Sequence, residues 1–273
     1  MLATKEEKAL AGFIEIITGL FSECGRRCAA SRDTMRPYAL GFCLKLTQHA
    51  ISTVALFEGS IPKSDGSRAL DVHSVSVLAR AGWESFLLFR HVFIDVADED
   101  ERMMRYLRWS IASPEGRQKY VATRPAQRTQ KREELKEINR RRNEIRGNPA
   151  FLRLSAKEQK ALMEAHDGRT AGWSKIATTA GITKLYATDQ YHVLCDYAHT
   201  GWFSVSIFRR RPSKRAIQRI KKVTAGMLAI ATANAIAGLE VLFPGCTASL
   251  DRSDSELLQD WINVGRSAPT IRS

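Results

Sequence analysis

The chain has 273 residues, of which 44% are hydrophobic and 26% charged, with 8 Pro and 17 Gly. That length and composition allow a sizeable core and exclude wholesale disorder, a collagen-like repeat and a low-complexity chain. Forty-two Lys and Arg against 29 Asp and Glu give a formal charge of +13, which favours acidic partners such as nucleic acid or an anionic surface.

Cysteines at positions 24, 28, 43, 195 and 246 are too scattered for a disulfide framework, and their odd number points to reduced thiols in a cytoplasmic setting. Glu6, Glu7 and Glu15 fall where a signal or transit segment would be basic and apolar, so export is not expected.

Residues 4–30 carry Leu10, Phe13, Ile14, Ile17 and Phe21 at three- and four-residue spacings, which predicts an amphipathic helix. A second helix is predicted from Arg36-Pro37, where proline suits the first turn, to about Phe57. Gly59 and Pro62 break it, and Lys63-Ser64-Asp65-Gly66-Ser67 reads as a turn. The third helix, over 68–96, is apolar on most sides through Val75, Leu78, Trp83, Phe86, Leu87, Leu88 and Phe89, so it belongs at the centre. Between Asp71 and Arg90 its only charges are Arg80 and Glu84, four residues apart on one face. A lone buried charge is costly, so these two are expected to pair with each other or with other polar groups.

Residues 97–170 read as a basic helical insertion or protrusion. Met103, Tyr106, Leu107 and Trp109 keep a helical rhythm that Pro114 is expected to interrupt, and a polar helix follows over 125–146. Positions 105–146 hold thirteen Lys/Arg against five Glu, with Leu135, Ile138 and Ile145 as the main apolar contacts, so this helix is expected to project or to lie on the surface. Gly147-Asn148-Pro149 stops it, and Ser155 with Glu158 has the spacing of a capping box for a short helix over 155–164.

A short helix over 173–179 ends near Gly181, and a longer one is predicted over 183–200, closed by Gly201. Residues 202–208 admit strand, loop or helix. Pro212 starts the last long helix, over 212–243, and Pro244-Gly245 stops it. Its uncharged stretch, 223–239, is interrupted by Thr224, Thr232 and Asn234 and falls short of the roughly 20 apolar residues of a membrane span, so a buried bundle helix is expected. Residues 250–273 read as a peripheral tail, helical over 251–261. With no strand series and no internal repeat, the fold class is all-α: one domain over 1–273, a multi-helix bundle with a projecting basic segment.

Tyr191, Cys195 and His199 recur every four residues and share a stripe, while His192, Asp196 and His199 form a neighbouring one. Two imidazoles and a carboxylate can ligate a metal, and Cys195 with His199 can pair as nucleophile and base where the thiol is exposed and acidified. A hydrogen-bonded histidine and a packed thiol produce the same pattern, so neither metal nor cofactor is expected. Cys24 and Cys28 are half of a metal site that Cys43 and His49 do not complete, and all three cysteines read as packing residues. There is no phosphate-binding Gly-rich loop, no Gly-x-Ser-x-Gly and no His-Glu-x-x-His, which removes weight from the common nucleotide, hydrolase and zinc-protease classes. Arg68 and His73 meet the loose spacing of HEPN-type helical ribonucleases, but chance alone supplies such a match in a chain this rich in arginine.

Residues 209–222 hold eight Lys/Arg and no acid. Arg209, Arg210, Arg211, Lys214 and Arg215 there, with Arg140, Arg141 and Arg142 in the polar helix, are candidate contacts to the phosphates of RNA or DNA. Trp202, Phe203 and Phe208 add aromatic faces suited to base stacking, although no RNA-binding signature accompanies them. A solvated face explains the same charge. A helix-turn-helix over 172–199 is a further alternative, opposed by the inward-looking Tyr, Cys and Val of its second helix.

Three motifs, Ala79-Arg80-x-x-x-Glu84, Trp173-Ser174-x-Ile176-Ala177 with Gly181, and Tyr191-x-x-Leu194-Cys195-x-x-Ala198-His199-Thr200, together resemble an uncharacterised bacterial helical family, domain of unknown function 5677. The resemblance covers roughly residues 40–240, and its last motif is the most specific. In that family the position of Cys195 is most often a serine, which speaks against thiol chemistry, and the segment 117–146 is an elaboration outside the clearest motifs. The resemblance implies that Arg80, Glu84, Tyr191 and His199 belong together, and it brings no established activity with them.

The residues supply their own reason for that set: a buried Arg80 and Glu84 need partners, and a phenol and an imidazole on another internal helix can provide them. The two helices are therefore expected to pack and the four side chains to form one polar cluster. It serves either as a network fixing helix register or as a cleft that binds phosphate or performs acid/base chemistry through His199 and Glu84. The expected function is a nucleic-acid-associated binding or accessory protein in a defence or mobile-element setting. A metal-independent nuclease or phosphoester hydrolase using His199 with Arg80, and a structural or oligomeric interaction protein, are the alternatives.

Overall fold

Thirteen consecutive residues of one helix, 224–236, are buried without interruption. The computed structural model, which describes residues 3–62, 64, 66, 68–165, 168–199, 202–209 and 213–267, places that helix in the larger of two units, 1–89 with 173–273; the smaller is 90–172. Helices carry both units, and one two-residue strand pair is the only sheet among the described residues. The all-α expectation holds. The segment expected as a basic insertion, 97–170, lies within the smaller unit.

In the larger unit the buried helix is α11 (Lys214–Leu242), packed by α1 (Lys5–Ala30), α2 (Arg36–Leu56), α3 (Val72–Phe89) and α12 (Arg252–Arg266). Five alanines and one glycine fall in its buried run of thirteen, so several helices can approach its backbone at once. The three polar interruptions satisfy themselves locally. The Thr224 and Thr232 hydroxyls donate to the carbonyls of Ile220 and Leu228 at 2.8 Å, and the Asn234 amide donates to that of Ile230 at 2.9 Å. By length and composition α11 could cross a membrane, yet 83% of its most apolar stretch is buried inside the protein.

Two expectations need correction here. The third helix begins at Val72 rather than 68, because Ile61–Pro62 (β1) and Arg68–Ala69 (β2) pair antiparallel, Ile61 with Ala69. Gly59 makes this hairpin possible: it has φ +99°, and a Cβ there would stand 2.9 Å from that of Arg68. Asp71 then starts α3 by accepting from the backbone N–H groups of His73 (3.2 Å) and Ser74 (3.0 Å). The tail is not peripheral either. α12 runs to Arg266 and buries Trp261, Ile262 and Gly265, with the Trp261 ring edge-on to Phe13 at 6.5 Å. Its apolar face is narrow, and in sequence the surrounding charges conceal it.

The smaller unit opens with a π-helical turn, Arg90–Ile94, followed by α4 (Glu99–Arg117), α5 (Pro125–Gly147), α6 (Pro149–Leu152) and α7 (Ala156–Glu164). Pro114 does not interrupt α4; it lies inside the last turn, and the helix continues only to Arg117. α4 and α5 run antiparallel, with Asp100 meeting Asn148, Glu115 meeting Arg142 and Arg117 meeting Glu134. The rear half of α5 packs through Ile138 and Ile145. Residues 123–130, covering its first turns, are all exposed, so this end lies on the surface. Arg108 is wholly buried, yet paired: it donates to the Leu162 carbonyl at 2.9 Å, bonds the Ala165 carbonyl and meets Glu115 at 2.9 Å, closing the C-terminal end of α7. The ordered helix over 156–164 starts with the predicted Ser155–Glu158 capping box.

Because Gly82 sits where a Cβ would come within 2.7 Å of Leu228 on α11, Gly82→Val should overpack this contact and destabilise the fold by about 1–3 kcal/mol. The urea midpoint should fall at unchanged slope; an unchanged or higher midpoint refutes the close approach. His91 supplies a second check. Burial, helped by the Arg105 and Arg169 charges, holds its imidazole down to about 3, with Nδ1 accepting from Arg105 (3.2 Å) and Nε2 donating to the Thr170 hydroxyl (3.1 Å). The folded value lies below the unfolded one near 6.5, so this contribution is complete above pH 6.5 and lost as pH falls from there toward 3. The His91 ring resonances should stay flat between pH 8 and about 5, where an ordinary histidine titrates.

Candidate functional site

α3 presents His73, Val77, Arg80 and Glu84 at spacings of four, three and four residues, which puts them on one helical face. The helix packed against it is α9 (Tyr191–Ala198), which follows a π-helical turn, Leu185–Gln190. With that turn α9 makes one continuous helical stretch over 184–198, close to the 183–200 helix expected and ending just before His199. Its last turn closes when the His199 N–H reaches the Cys195 carbonyl at 3.0 Å, and His199 itself adopts an extended backbone at φ −94°, ψ 150°. His199 thus does not continue the Tyr191–Cys195 stripe; it leaves the helix end toward α3. The segment that admitted strand, loop or helix is helical, α10 (Trp202–Arg209).

The four side chains meet in a chain of bonds. The Tyr191 hydroxyl donates to Glu84 Oε1 at 2.8 Å, and Arg80 Nε donates to the same oxygen at 2.8 Å. Arg80 Nη1 bonds His199 Nε2 at 3.2 Å, and the Arg80 guanidinium carbon lies 5.9 Å from the centre of the Tyr191 ring. A guanidinium only donates, so Nε2 accepts and the ring hydrogen of His199 sits on Nδ1. The network is graded in exposure: Tyr191 is buried, the Arg80 and Glu84 side chains are each 25% exposed, and His199 is exposed. It is therefore neither sealed nor fully open. Burial first, then the bond to Glu84, pushes the Tyr191 phenol up; burial also pushes the Cys195 thiol up, against the pull of Tyr191 and Arg80. Cys195 is thus a poor source of thiolate, which disfavours the nucleophile–base pairing with His199.

His199 opens onto a cavity of about 490 Å³, whose wall includes His73, Ser74, Val77, Tyr197 and Val205. His73 Nδ1 donates to the Tyr197 carbonyl at 3.1 Å, and its ring meets that of Tyr197 edge-on at 5.8 Å. Sequence reasoning met His73 only in the Arg68 spacing and missed this role, although its place on the Val77–Arg80–Glu84 face was legible. Arg68 itself is exposed on β2. His192 and Asp196 are exposed, and among the described residues no three His, Cys, Asp or Glu side chains are placed to hold a metal ion.

The candidate phosphate contacts fare unevenly. Arg140 pairs with Glu137 (2.6 Å) and with Glu144, Arg141 with Glu137 (2.5 Å), and Arg142 with Glu115 (2.8 Å). The bonds from Arg140 and Arg141 hold the Glu137 carboxyl at about 2, so the pairing persists at neutral pH. Each of these three arginines thus has a carboxylate beside it, Arg140 and Arg141 sharing Glu137 and Arg142 sharing Glu115 with the buried Arg108. Arg124, Arg128 and Arg132, earlier along the same arm, are exposed and have no carboxylate partner among the described residues. In the other tract, Lys214 and Arg215 are exposed at the start of α11, while Lys222 lies 3.6 Å from Glu6 and Lys221 donates to the Phe57 carbonyl. Arg209 ends α10, and Arg210 and Arg211 lie outside the described residues.

No protein-family model matches the chain, and no curated protein or solved structure is similar to it at a significant level.

The Arg80–His199 contact sets a measurable tautomer. In the wild type, ¹⁵N NMR should find the ring hydrogen of His199 on Nδ1, and Arg80→Ala should release it toward Nε2. An Nε2-protonated ring in the wild type would break the relay at its outer end.

Proposed function

We propose that the protein is a nucleic-acid-associated binding protein whose projecting α4–α5 arm grips the phosphate backbone. The observation that carries this reading is the run Arg124, Arg128 and Arg132: exposed, without carboxylate partners among the described residues, and repeated every four residues along one side of the arm. Uncompensated cations gain most from releasing the counterions of a polyanion, whereas Arg140, Arg141 and Arg142 already have carboxylates beside them. Lys214 and Arg215, with Trp202 exposed on α10, offer a second cationic and aromatic surface in the larger unit. The likeness to domain of unknown function 5677 belongs with this proposal, since its motifs supply Arg80, Glu84, Tyr191 and His199.

Anisotropy titrations of a labelled single strand over a salt series test the reading. Affinity should fall steeply with salt. Replacing Arg124, Arg128 and Arg132 together by Ala should make the log–log slope shallower by about 2, at about 0.7 per phosphate contact. The same change at Arg140, Arg141 and Arg142 should move it by less than about 0.7. A flat salt response of the wild type removes the proposal.

A second reading has its own support: His199 stands exposed at the mouth of the 490 Å³ cavity with Arg80 on its Nε2. In a metal-independent phosphoester hydrolase, Arg80 would leave His199 Nε2 for the phosphate, freeing that nitrogen to take a proton from the attacking hydroxyl and, as imidazolium, to return it to the leaving oxygen. His199→Ala should then lower hydrolysis of an RNA or phosphodiester substrate by about 10²–10⁴-fold with helicity retained. Wild-type turnover in that variant ends this reading.

A further inference from the structure

The tip of the α4–α5 hairpin has its polar backbone tied inward and its apolar side chains turned out. Tyr120 is 72% exposed and Val121 88%. Beneath them the Lys131 ammonium donates to the carbonyls of Gln118 at 2.8 Å and Tyr120 at 2.6 Å. The Gln118 amide returns a bond to the Lys131 carbonyl at 3.3 Å. On the far side of the tip, Gln127 Oε1 accepts from the backbone N–H groups of Thr123 and Arg124, both at 3.0 Å, and from the Thr123 hydroxyl at 3.1 Å. Residues tied down in this way lose little further freedom on binding, so the exposed pair is preorganised for a partner.

Exposed cations surround that pair: Lys119, Arg124 and Arg128. The partner must therefore offer negative charge together with apolar or flat surfaces. An anionic bilayer and an unpaired nucleic-acid strand both do, and two features favour the strand. One valine and one tyrosine are a weak anchor in lipid, where even a whole myristoyl chain binds only marginally. Arg124, Arg128 and Arg132 also recur at four-residue intervals, a linear row of cations that suits a linear row of phosphates. A fluid bilayer requires no such repeat, and the fork of a guanidinium suits phosphate oxygens.

We propose that this tip is a stacking wedge for unpaired nucleobases. The Tyr120 ring stacks on an exposed base, Val121 packs beside it, and Arg124, Arg128 and Arg132 hold the adjoining phosphates. The partner is thus single-stranded RNA or DNA, or a frayed strand end, read without sequence preference because every base has a flat face. The proposal rests on the nucleic-acid reading above and adds the state of the strand.

The test uses the full chain, a labelled single strand, a blunt duplex of the same sequence, and phosphatidylserine vesicles at one low salt concentration. Wild type should prefer the single strand. Tyr120→Ala should weaken that binding about 5- to 150-fold, corresponding to about 1–3 kcal/mol per stacked base, and leave duplex binding unchanged. Tyr120→Phe keeps the ring and should bind as wild type. A 2-aminopurine within the strand should change its fluorescence with wild type and Tyr120→Phe and not with Tyr120→Ala. If Tyr120→Ala binds the single strand as tightly as wild type while the Arg124/Arg128/Arg132 variant does not, the wedge is refuted and the phosphate-binding arm stands. If wild type binds neither strand nor duplex, both proposals fall, and vesicle binding that depends on Tyr120 would assign the tip to lipid instead.

Discussion

A helix can be buried on every side only if its neighbours can reach its backbone, and α11 meets that condition with six alanines and two glycines interleaved with larger side chains over 225–238. The rest of the larger unit follows from it. α1, α2, α3 and α12 each give α11 an apolar face, and Gly82 on α3 removes the one Cβ that would hold α3 off Leu228. Because α3 is pressed against α2, α9 and α11 at once, its two charges have few directions open to them.

That constraint explains the shape of the polar cluster. Arg80 and Glu84 occupy the α3 face toward α9, and each is left with one-quarter of its side chain in contact with solvent. Glu84 takes two donors on one oxygen, from Arg80 and Tyr191, and Arg80 spends a further N–H on His199. The same bonds that pin α9 to α3 therefore orient an imidazole at the surface. Structural and chemical roles are not alternatives here: a relay satisfied at its buried end by Tyr191 and open at its outer end at His199 fixes the helix pair and presents an oriented ring.

The arm of the smaller unit depends on a different balance. Its rear half gains stability from Ile138, Ile145 and ion pairs such as Arg142 with Glu115, and there charge is compensated. In the front half residues 123–130 are all exposed, and Arg124, Arg128 and Arg132 have no carboxylate partner among the described residues. Helix formation there draws on the Pro125 start, the Gln127 cap and the continuity of the helix behind it. Exposed side chains of this kind add little to the stability of the fold.

Much of this was legible in residue order. Period, caps and breakers located the helices, the apolar girth of the segment around Trp83 marked α3 as central, and the rule against unpaired buried charge tied Arg80 and Glu84 to partners elsewhere. Local pattern could do this because helix periodicity and charge spacing are properties of neighbours in the chain. It could not find that α9 stops at Ala198 and turns His199 out, that His73 shares a cavity with it, that α12 belongs to the core, or that Arg140, Arg141 and Arg142 have carboxylate partners while Arg124, Arg128 and Arg132 have none among the described residues. Those outcomes depend on which surfaces meet across long separations, and the free energy that selects them, burial and charge pairing between distant segments, is absent from any short window of the sequence.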